Sequence, residues 1–406
     1  MTRRILSQGE QFPWRVAMTR TALSDTPGEP SPVPSGTVTS GNTPDLRDYD
    51  VILANSSAGK DSQATLDEIV RRARELGVLD RVRVVHADLG QVEWPDTIDL
   101  AKKQADYYGV PFISVARPQG DLLAHIEDRA VKQILKVQES KKAAAEAAAR
   151  GEPIPEIHKA APAFPDAKAR YCTSDHKTGQ VRKVMTDLAR QLHESGQVTG
   201  RPVRFLNTLG IRAEESPARA KRIPYTHDER ASNGQRHVDQ WYPIHDWSTA
   251  DVWNRIRESG APHHWAYDKG MTRLSCAFCP LASHGDLLTS ARLNPELAQK
   301  YVDLEHRIRD MGVPYRFTQA HSMEEILEEA KALGPLRDDE RVPSGGCPGG
   351  GCDNFPEGEQ PDDDVETDGP RHNPISLGIP SIPIHRAAAI LSEARRMLTD
   401  RRRVYR

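Results

Sequence analysis

The chain has 406 residues, 28% charged and 37% hydrophobic, and its 55 basic residues nearly balance 58 acidic ones, for a net charge of −3. That length suits two or three domain-sized units, or one domain of roughly 250 residues with appendages. The charge balance leaves nucleic-acid binding to a local patch at most, and no apolar run approaches the ~18 residues of a membrane span.

Residues 1–48 hold little that could pack, and Thr26–Gly36 is a Pro- and Ser-rich stretch expected to be flexible. Met1–Ala17 mixes Arg3, Arg4, Gln8, Glu10 and Gln11 with apolar residues and lacks a signal-peptide core, so a soluble cytoplasmic protein is expected. The first strong element is the apolar run Tyr49–Asn55, a predicted strand that breaks into Ser56-Ser57-Ala58-Gly59-Lys60-Asp61-Ser62. A helical pattern follows to about Glu75, with Leu66, Ile69 and Val70 on one face. The alternation repeats: strand Arg81–Ala87, helix Asp96–Tyr108, strand Pro111–Val115 and, further on, strand Val203–Leu209. Alternating strands and helices predict an α/β fold, a Rossmann-like parallel sheet whose ligands bind at the C-terminal strand ends.

An insertion, 121–170, separates the third and fourth strands. Asp121–Arg150 is helical in character, Gly151–Pro165 is Pro-rich loop, and the segment is expected to fold over the mouth of the sheet as a lid. Trp241–Trp253 reads as a turn into a helix, with Ser248 or Thr249 as N-cap and Asp251 in the first turn. Helices are predicted over Asn294–Met311 and Ser322–Ala332. The core unit is therefore expected over 49–334, followed by a Gly-, Pro- and Asp-rich linker over 335–375. A basic helix closes the chain over 376–406, with seven arginines against Glu393 and Asp400 from Arg386 onward.

Ser57–Ser62 lies between a predicted strand and a predicted helix, the setting in which backbone N–H groups and a helix N-terminus converge on phosphate. It is not a Walker A loop, because Asp61 rather than Ser or Thr follows Lys60 and Ala54 stands at the place of the first Gly. An ordinary strand-to-helix turn is the alternative. Ser57-Ala-Gly-Lys-Asp-Ser resembles the S-G-G-x-D-S pyrophosphate loop of the adenine-nucleotide α-hydrolase (PP-loop) group, with Ala58 in place of one Gly. Further blocks resemble the phosphoadenosine phosphosulfate reductase-like branch in the same order. They are His86-Ala-Asp-Leu-Gly with Glu93-Trp-Pro, Arg170-Tyr-Cys-Thr, Gly210-Ile-Arg-Ala-Glu-Glu-Ser-Pro-Ala-Arg, Trp241–Trp247 and Tyr267–Pro280.

The resemblance implies ATP or phosphoadenylyl sulfate as ligand, held by Ser57, Ala58, Gly59, Lys60, Asp61 and Ser62, with Asp61 as a Mg²⁺ contact. Asp88, Glu93 and Gly210 are expected at the ligand edge; solvated loop carboxylates are the alternative for the two acids. Lys60, Asp61, Arg212 and Arg219 are the expected catalytic set, since guanidinium forks suit phosphate or sulfate. The alternative for both arginines is a local ion-pair network with Glu214 and Glu215.

The five cysteines are few and odd in number, which outside a secretory context favours metal, cluster or redox chemistry over a disulfide framework. Cys276 and Cys279 form a C-x-x-C. Cys172 sits in a block that resembles a ligand position of cluster-binding members, and Cys347 and Cys352 form a second pair in the linker. Three core cysteines suit a [4Fe–4S] cluster with Cys347 or Cys352 as fourth ligand; zinc, a dithiol pair or inert thiols are the alternatives. His263, His264 and His284, which bracket the C-x-x-C, are read as polar loop histidines rather than ligands.

Three functions follow. The first is an ATP pyrophosphatase that adenylates an acceptor oxygen and inserts sulfur, closest in its motifs to the DNA phosphorothioation sulfurtransferase branch. The acceptor would be DNA, other nucleic acid or a metabolite, and the sulfur donor a cysteine desulfurase or thioredoxin-like protein. The second is an adenylyl-sulfate or phosphoadenylyl-sulfate reductase, against which stand Tyr171 beside Cys172, where a cysteine pair would be, and the lack of a Glu-Cys-Gly-x-His block. The third is a non-catalytic nucleotide-binding subunit. A homo-oligomer is compatible with each.

Overall fold

The computed structural model describes residues 43–336. The N-terminal segment to residue 42, the Cys347–Cys352 pair and the basic C-terminal segment lie outside the described residues. A six-stranded sheet has the order β3-β2-β1-β4-β6-β5. Its strands are β1 (Val51–Asn55), β2 (Val82–Asp88), β3 (Phe112–Ala116), β4 (Val203–Thr208), β5 (Tyr225–His227) and β6 (Arg236–Trp241). All neighbours pair parallel except β5, which runs antiparallel on the outer edge of β6. The order reverses at β1, so the crevice between β1 and β4 is the topological switch point where such sheets bind ligands.

The helices are α1 (Lys60–Glu75), α2 (Thr97–Tyr108), α3 (Leu122–Ala149), α4 (Tyr171–Thr173), α5 (Gly179–Glu194), α6 (Pro217–Ala220), α7 (Thr249–Ser259), α8 (His284–Leu293), α9 (Pro295–Asp310) and α10 (Met323–Leu333). Val51, Ile52, Leu53 and Ala54 of β1 are all buried, as befits a central strand covered on both faces. On one face Ile52 and Ala54 pack with Leu66, Ile69 and Val70 of α1 and with Ala105 and Tyr108 of α2. On the other, Val51 and Leu53 pack with Val181, Val184 and Met185 of α5. Among the described residues no helix is long and apolar enough to cross a membrane.

The expected α/β architecture with helical C-terminal additions is present, and the strands and helices predicted within the described residues are found within a residue or two of their bounds. Ser248 caps α7 and its partner Asp251 completes a capping box. β6 escapes the sequence pattern because four of its six residues are Arg236, His237, Asp239 and Gln240; its place in the sheet is decided by pairing with β4.

A second core sits beyond the sheet and joins α3, α8, α9 and α10 around Phe164, Phe278, Tyr301 and Phe317. The first half of α3 belongs to it through Leu122, Leu123, Ile126, Ala130, Val131 and Ile134. Burial on that scale makes this half a packed wall rather than the expected lid.

Candidate functional site

The loop after β1 turns sharply because Ala58 adopts a left-handed conformation, φ 55°, with its side chain fully buried. Its amide donates to Ser56 Oγ (3.1 Å), and Ser57 N donates to Ser62 Oγ (3.2 Å), which in turn donates to the Gly59 carbonyl (2.9 Å). Gly59 caps α1, and a Cβ there would lie 3.3 Å from both Ser57 Oγ and Tyr267 Oη. Left-handed backbone costs a residue with a Cβ about 1–2 kcal/mol, and a branched side chain more. We therefore expect Ala58→Val to destabilise the protein by about 2–3 kcal/mol, and Ala58→Gly to stay within about 1 kcal/mol of the parent in denaturant unfolding.

Lys60 and Asp61 open α1. The Lys60 side chain is buried; its Nζ lies 3.2 Å from Asp61 Oδ2 and donates to the Thr272 carbonyl at 3.4 Å. Asp61 Oδ1 accepts from Arg212 Nε at 2.7 Å. Arg212 is buried at the end of β4 and also donates to Glu214 (2.6 Å), the Trp247 carbonyl and Thr249 Oγ1. Burial alone would lower the Arg212 pKa, but Asp61 and the two glutamates raise it, so the guanidinium stays charged. Both Asp61 oxygens thus already face a cation, and Mg²⁺ at Asp61 would have to displace Lys60. Arg219 pairs with Glu215, so the glutamate partners foreseen as the alternative hold both arginines.

Gly210 has a role that motif reading did not supply. A Cβ there would lie 2.7 Å from the backbone C and O of Asp61 and 3.0 Å from Ser62 N. Only glycine lets the end of β4 lie against the first turn of α1, which brings Arg212 to Asp61. Tyr267 was likewise missed as an individual residue: its buried hydroxyl accepts from Lys60 N at 2.9 Å, and its ring lies 5.8 Å from Lys60 Nζ.

At the end of β2, Asp88 Oδ1 accepts from Gly90 N (2.7 Å) and so shapes the turn that follows. Glu93 Oε2 meets His86 Nε2 at 3.1 Å, while His86 Nδ1 faces the Ser56 carbonyl at 2.9 Å. Burial would lower the His86 pKa, but Glu93 and that carbonyl lift it above the ordinary value. Ala277 N donates to the Val92 carbonyl at 2.8 Å, which straps the C-x-x-C beside Glu93 and the phosphate loop.

Cys172 and Cys276 pack against the edge of the second core, Cys279 is a free thiol like them, and each of the first two feels the charge of Cys279. Burial raises the Cys172 pKa, opposed by Lys177 and reinforced by Cys279. Burial pushes Cys276 up to about 12, again opposed by Lys177, with Cys279, Cys172 and Glu93 adding to the rise. Among the described residues these three free thiols are the cysteine donors available to a thiophilic metal. Cys172 lies in α4, which runs through a π turn, Ser174–Thr178, into α5. The bracketing histidines have other partners: His264 is fully buried against Trp94 and Thr97, His263 meets Asp268 at 2.9 Å, and His284 meets Glu329 at 3.0 Å.

A small-residue strand-to-helix loop at the switch point of a parallel sheet defines an α/β class of ligand-binding fold. The family model for the phosphoadenosine phosphosulfate reductase domain matches residues 51–282, and the chain belongs to that family, within the adenine-nucleotide α-hydrolase superfamily. Two uncharacterised proteins of Methanocaldococcus jannaschii are 37% and 33% identical to it over 98 residues, 24% of this chain and 23% and 19% of theirs. An uncharacterised 37.8 kDa protein of Escherichia phage 186 is 26% identical over 145 residues, 36% of this chain and 40% of its own. The chain thus spans less than half the length of each of these curated relatives. Among solved structures, phosphoadenylyl-sulfate reductase of Candida auris in its phosphate complex is 15% identical, with a TM-score of 0.32, covering 57% of this chain and 83% of that one. The U34-tRNA thiolase NcsA of Methanococcus maripaludis with its [4Fe–4S] cluster is 12% identical, with a TM-score of 0.29, covering 70% and 72%. Likeness at these scores says nothing of substrate.

Proposed function

We propose that this chain is an enzyme that binds an adenine nucleotide with its phosphates at Ser57–Ser62 and carries out sulfur chemistry at Cys172, Cys276 and Cys279. One observation carries the reading: the Tyr267–Cys279 segment holds Lys60 through Tyr267 and Thr272 and ends in the C-x-x-C, so nucleotide and thiol sites share one wall. The family membership supports reduction of phosphoadenylyl sulfate or adenylyl sulfate as the reaction. A thiolate attacks the sulfate sulfur, and the nucleotide leaves as its 5′-phosphate. A second thiol, from the chain or from a thioredoxin-like donor, then forms a disulfide and releases sulfite. Lys60, the loop amides and the N-terminus of α1 bind the phosphate.

A second reading is ATP-dependent sulfur insertion, in which an acceptor oxygen on DNA, other nucleic acid or a metabolite attacks the α-phosphorus and pyrophosphate leaves. The presence of Cys172 as well as the C-x-x-C pair favours it, because cysteine thiolates are the usual ligands of iron–sulfur clusters. Cys172, Cys276 and Cys279 would then hold an iron–sulfur cluster, which supplies a site for sulfide or electron transfer. One experiment separates the readings. The full chain, purified without oxygen, is incubated with phosphoadenylyl sulfate, with adenylyl sulfate, or with ATP plus DNA or tRNA as acceptor, each with a dithiol. Sulfite from a sulfated nucleotide, lost in Cys276→Ser and Cys279→Ser, is the expected result. Pyrophosphate from ATP without sulfite replaces the first reading with the second, and neither product overturns both.

A further inference from the structure

A second group of metal-ligating side chains lies on the opposite flank of the sheet from β2 and β3. His227 is the last residue of β5 and pairs in register with Asp239 of β6; His237 stands two residues before Asp239, hence on the same face. His227 Nδ1 lies 2.9 Å from Asp239 Oδ1, and His237 Nε2 lies 3.1 Å from the same oxygen. The two rings stack with centroids 4.3 Å apart, and one donor atom from each of the three residues falls within 4.8 Å of the others. Two ligand atoms on one tetrahedral zinc ion, each at about 2.0–2.1 Å, stand roughly 3.3 Å apart, so these separations need only a small outward movement.

The carboxylate is held from behind. Asp239 Oδ2 accepts from the Tyr49 hydroxyl at 2.8 Å and from that of Tyr225 at 3.3 Å, and the two phenols lie 2.7 Å apart. Their grip on Oδ2 leaves Oδ1 aimed at the imidazoles, the outer-shell support typical of metal-bound carboxylates. The Asp239 side chain is 8% exposed, that of His227 28% and that of His237 43%, so the cluster is anchored at its base and open to water at its mouth. Arg204 pairs in register with His237, and its guanidinium lies over the Tyr49 ring, a positive charge that tempers affinity without occupying the mouth.

We propose that His227, His237 and Asp239 bind one divalent transition ion of the zinc class through two imidazole nitrogens and one carboxylate oxygen, with water completing the shell. Imidazole and carboxylate together suit zinc, cobalt(II), nickel(II) or iron(II) better than calcium or magnesium. Both rings place their remaining proton on the other nitrogen when the metal enters. The ion fastens edge strand β5 to β6, and the site is separate from the thiol group.

The test uses the full chain, stripped with chelator and titrated with cobalt(II) and zinc without oxygen. The thiol group also takes metal, but thiolate-bound cobalt shows sulfur-to-metal charge transfer and this site does not. The expected result is one equivalent with ligand-field bands and no charge transfer, displaced by zinc. That equivalent is lost in His237→Ala, whose exposed position spares folding, and in Asp239→Asn, and it persists in Cys276→Ser. Tyr225→Phe weakens it about 10-fold, checked against an unchanged circular dichroism spectrum. Absence of such an equivalent from the folded parent, or its survival in His237→Ala, overturns the proposal and leaves the cluster as a hydrogen-bonded strand clasp.

Discussion

Gly210→Ala is expected to weaken adenine-nucleotide binding by at least about 10-fold and to lower stability by about 2–3 kcal/mol. The added Cβ would lie 2.7 Å from the backbone of Asp61. A side chain would rotate away, but here the obstacle is the first turn of α1, whose Lys60 and Asp61 belong to the proposed phosphate site. The turn must retreat from the end of β4, which pulls Asp61 off Arg212 (2.7 Å in the parent) and shifts every loop amide that would face phosphate. Isothermal titration with ATP and phosphoadenylyl sulfate, together with denaturant unfolding, measures both effects. Parental affinity in a folded Gly210→Ala protein would show that the loop's position does not depend on this contact.

The second large effect is acid sensitivity from His125 and His176. Both rings are buried, and His125 Nδ1 lies 3.0 Å from His176 Nε2, so one ring must accept and the pair cannot hold protons on both of those nitrogens. Burial lowers His125 to about 3 and His176 to about 4 from 6.5, with Arg117 lowering both further and Asp175 opposing. A depressed folded pKa means that the unfolded chain binds these protons first. Stability is therefore complete above pH 6.5 and is lost as pH falls towards 4 and then 3. At pH 5 each ring contributes a loss of roughly 2 kcal/mol, from 1.36 kcal/mol per pH unit. His86 and Glu305, whose pKa values are raised, act in the opposite direction. The pair is therefore isolated by comparison: unfolding free energy between pH 7 and pH 5 should fall less steeply in a His125→Gln/His176→Gln protein than in the parent. Equal slopes would mean that the rings are protonated in the folded state. His125 packs on Tyr171, the neighbour of Cys172 in α4, and His176 lies in the π turn that follows, so acid is expected to loosen the surroundings of Cys172 first.

Much of the nucleotide half of the molecule was legible in the sequence. The apolar β1 run, the small-residue loop and the amphipathic α1 are local features, and each has a local physical cause: burial on both faces, room for tight backbone, and 3.6-residue periodicity. Ala58 is instructive in detail. A single Ala for Gly looked mild by size, yet the residue stands at φ 55°, where the absence of a Cβ rather than the small volume is what glycine supplies. β6 was not legible, since its polar residues carry no alternation that marks a strand. Nor was the identity of Arg212's partners, because Asp61 lies 151 residues away along the chain.

By itself the sequence determined the α/β class, the small-residue loop between β1 and α1, and the division of the described cysteines from the later pair. Those properties are written in neighbouring residues. Only the tertiary structure decided that Cys172 and Cys276 pack against one core, that the first half of α3 is a wall of that core, and that two histidines and an aspartate converge at the β5–β6 edge. Each of these joins residues through the packing of separate elements, and that packing is set by the burial of whole helix and strand faces rather than by any short run of residues.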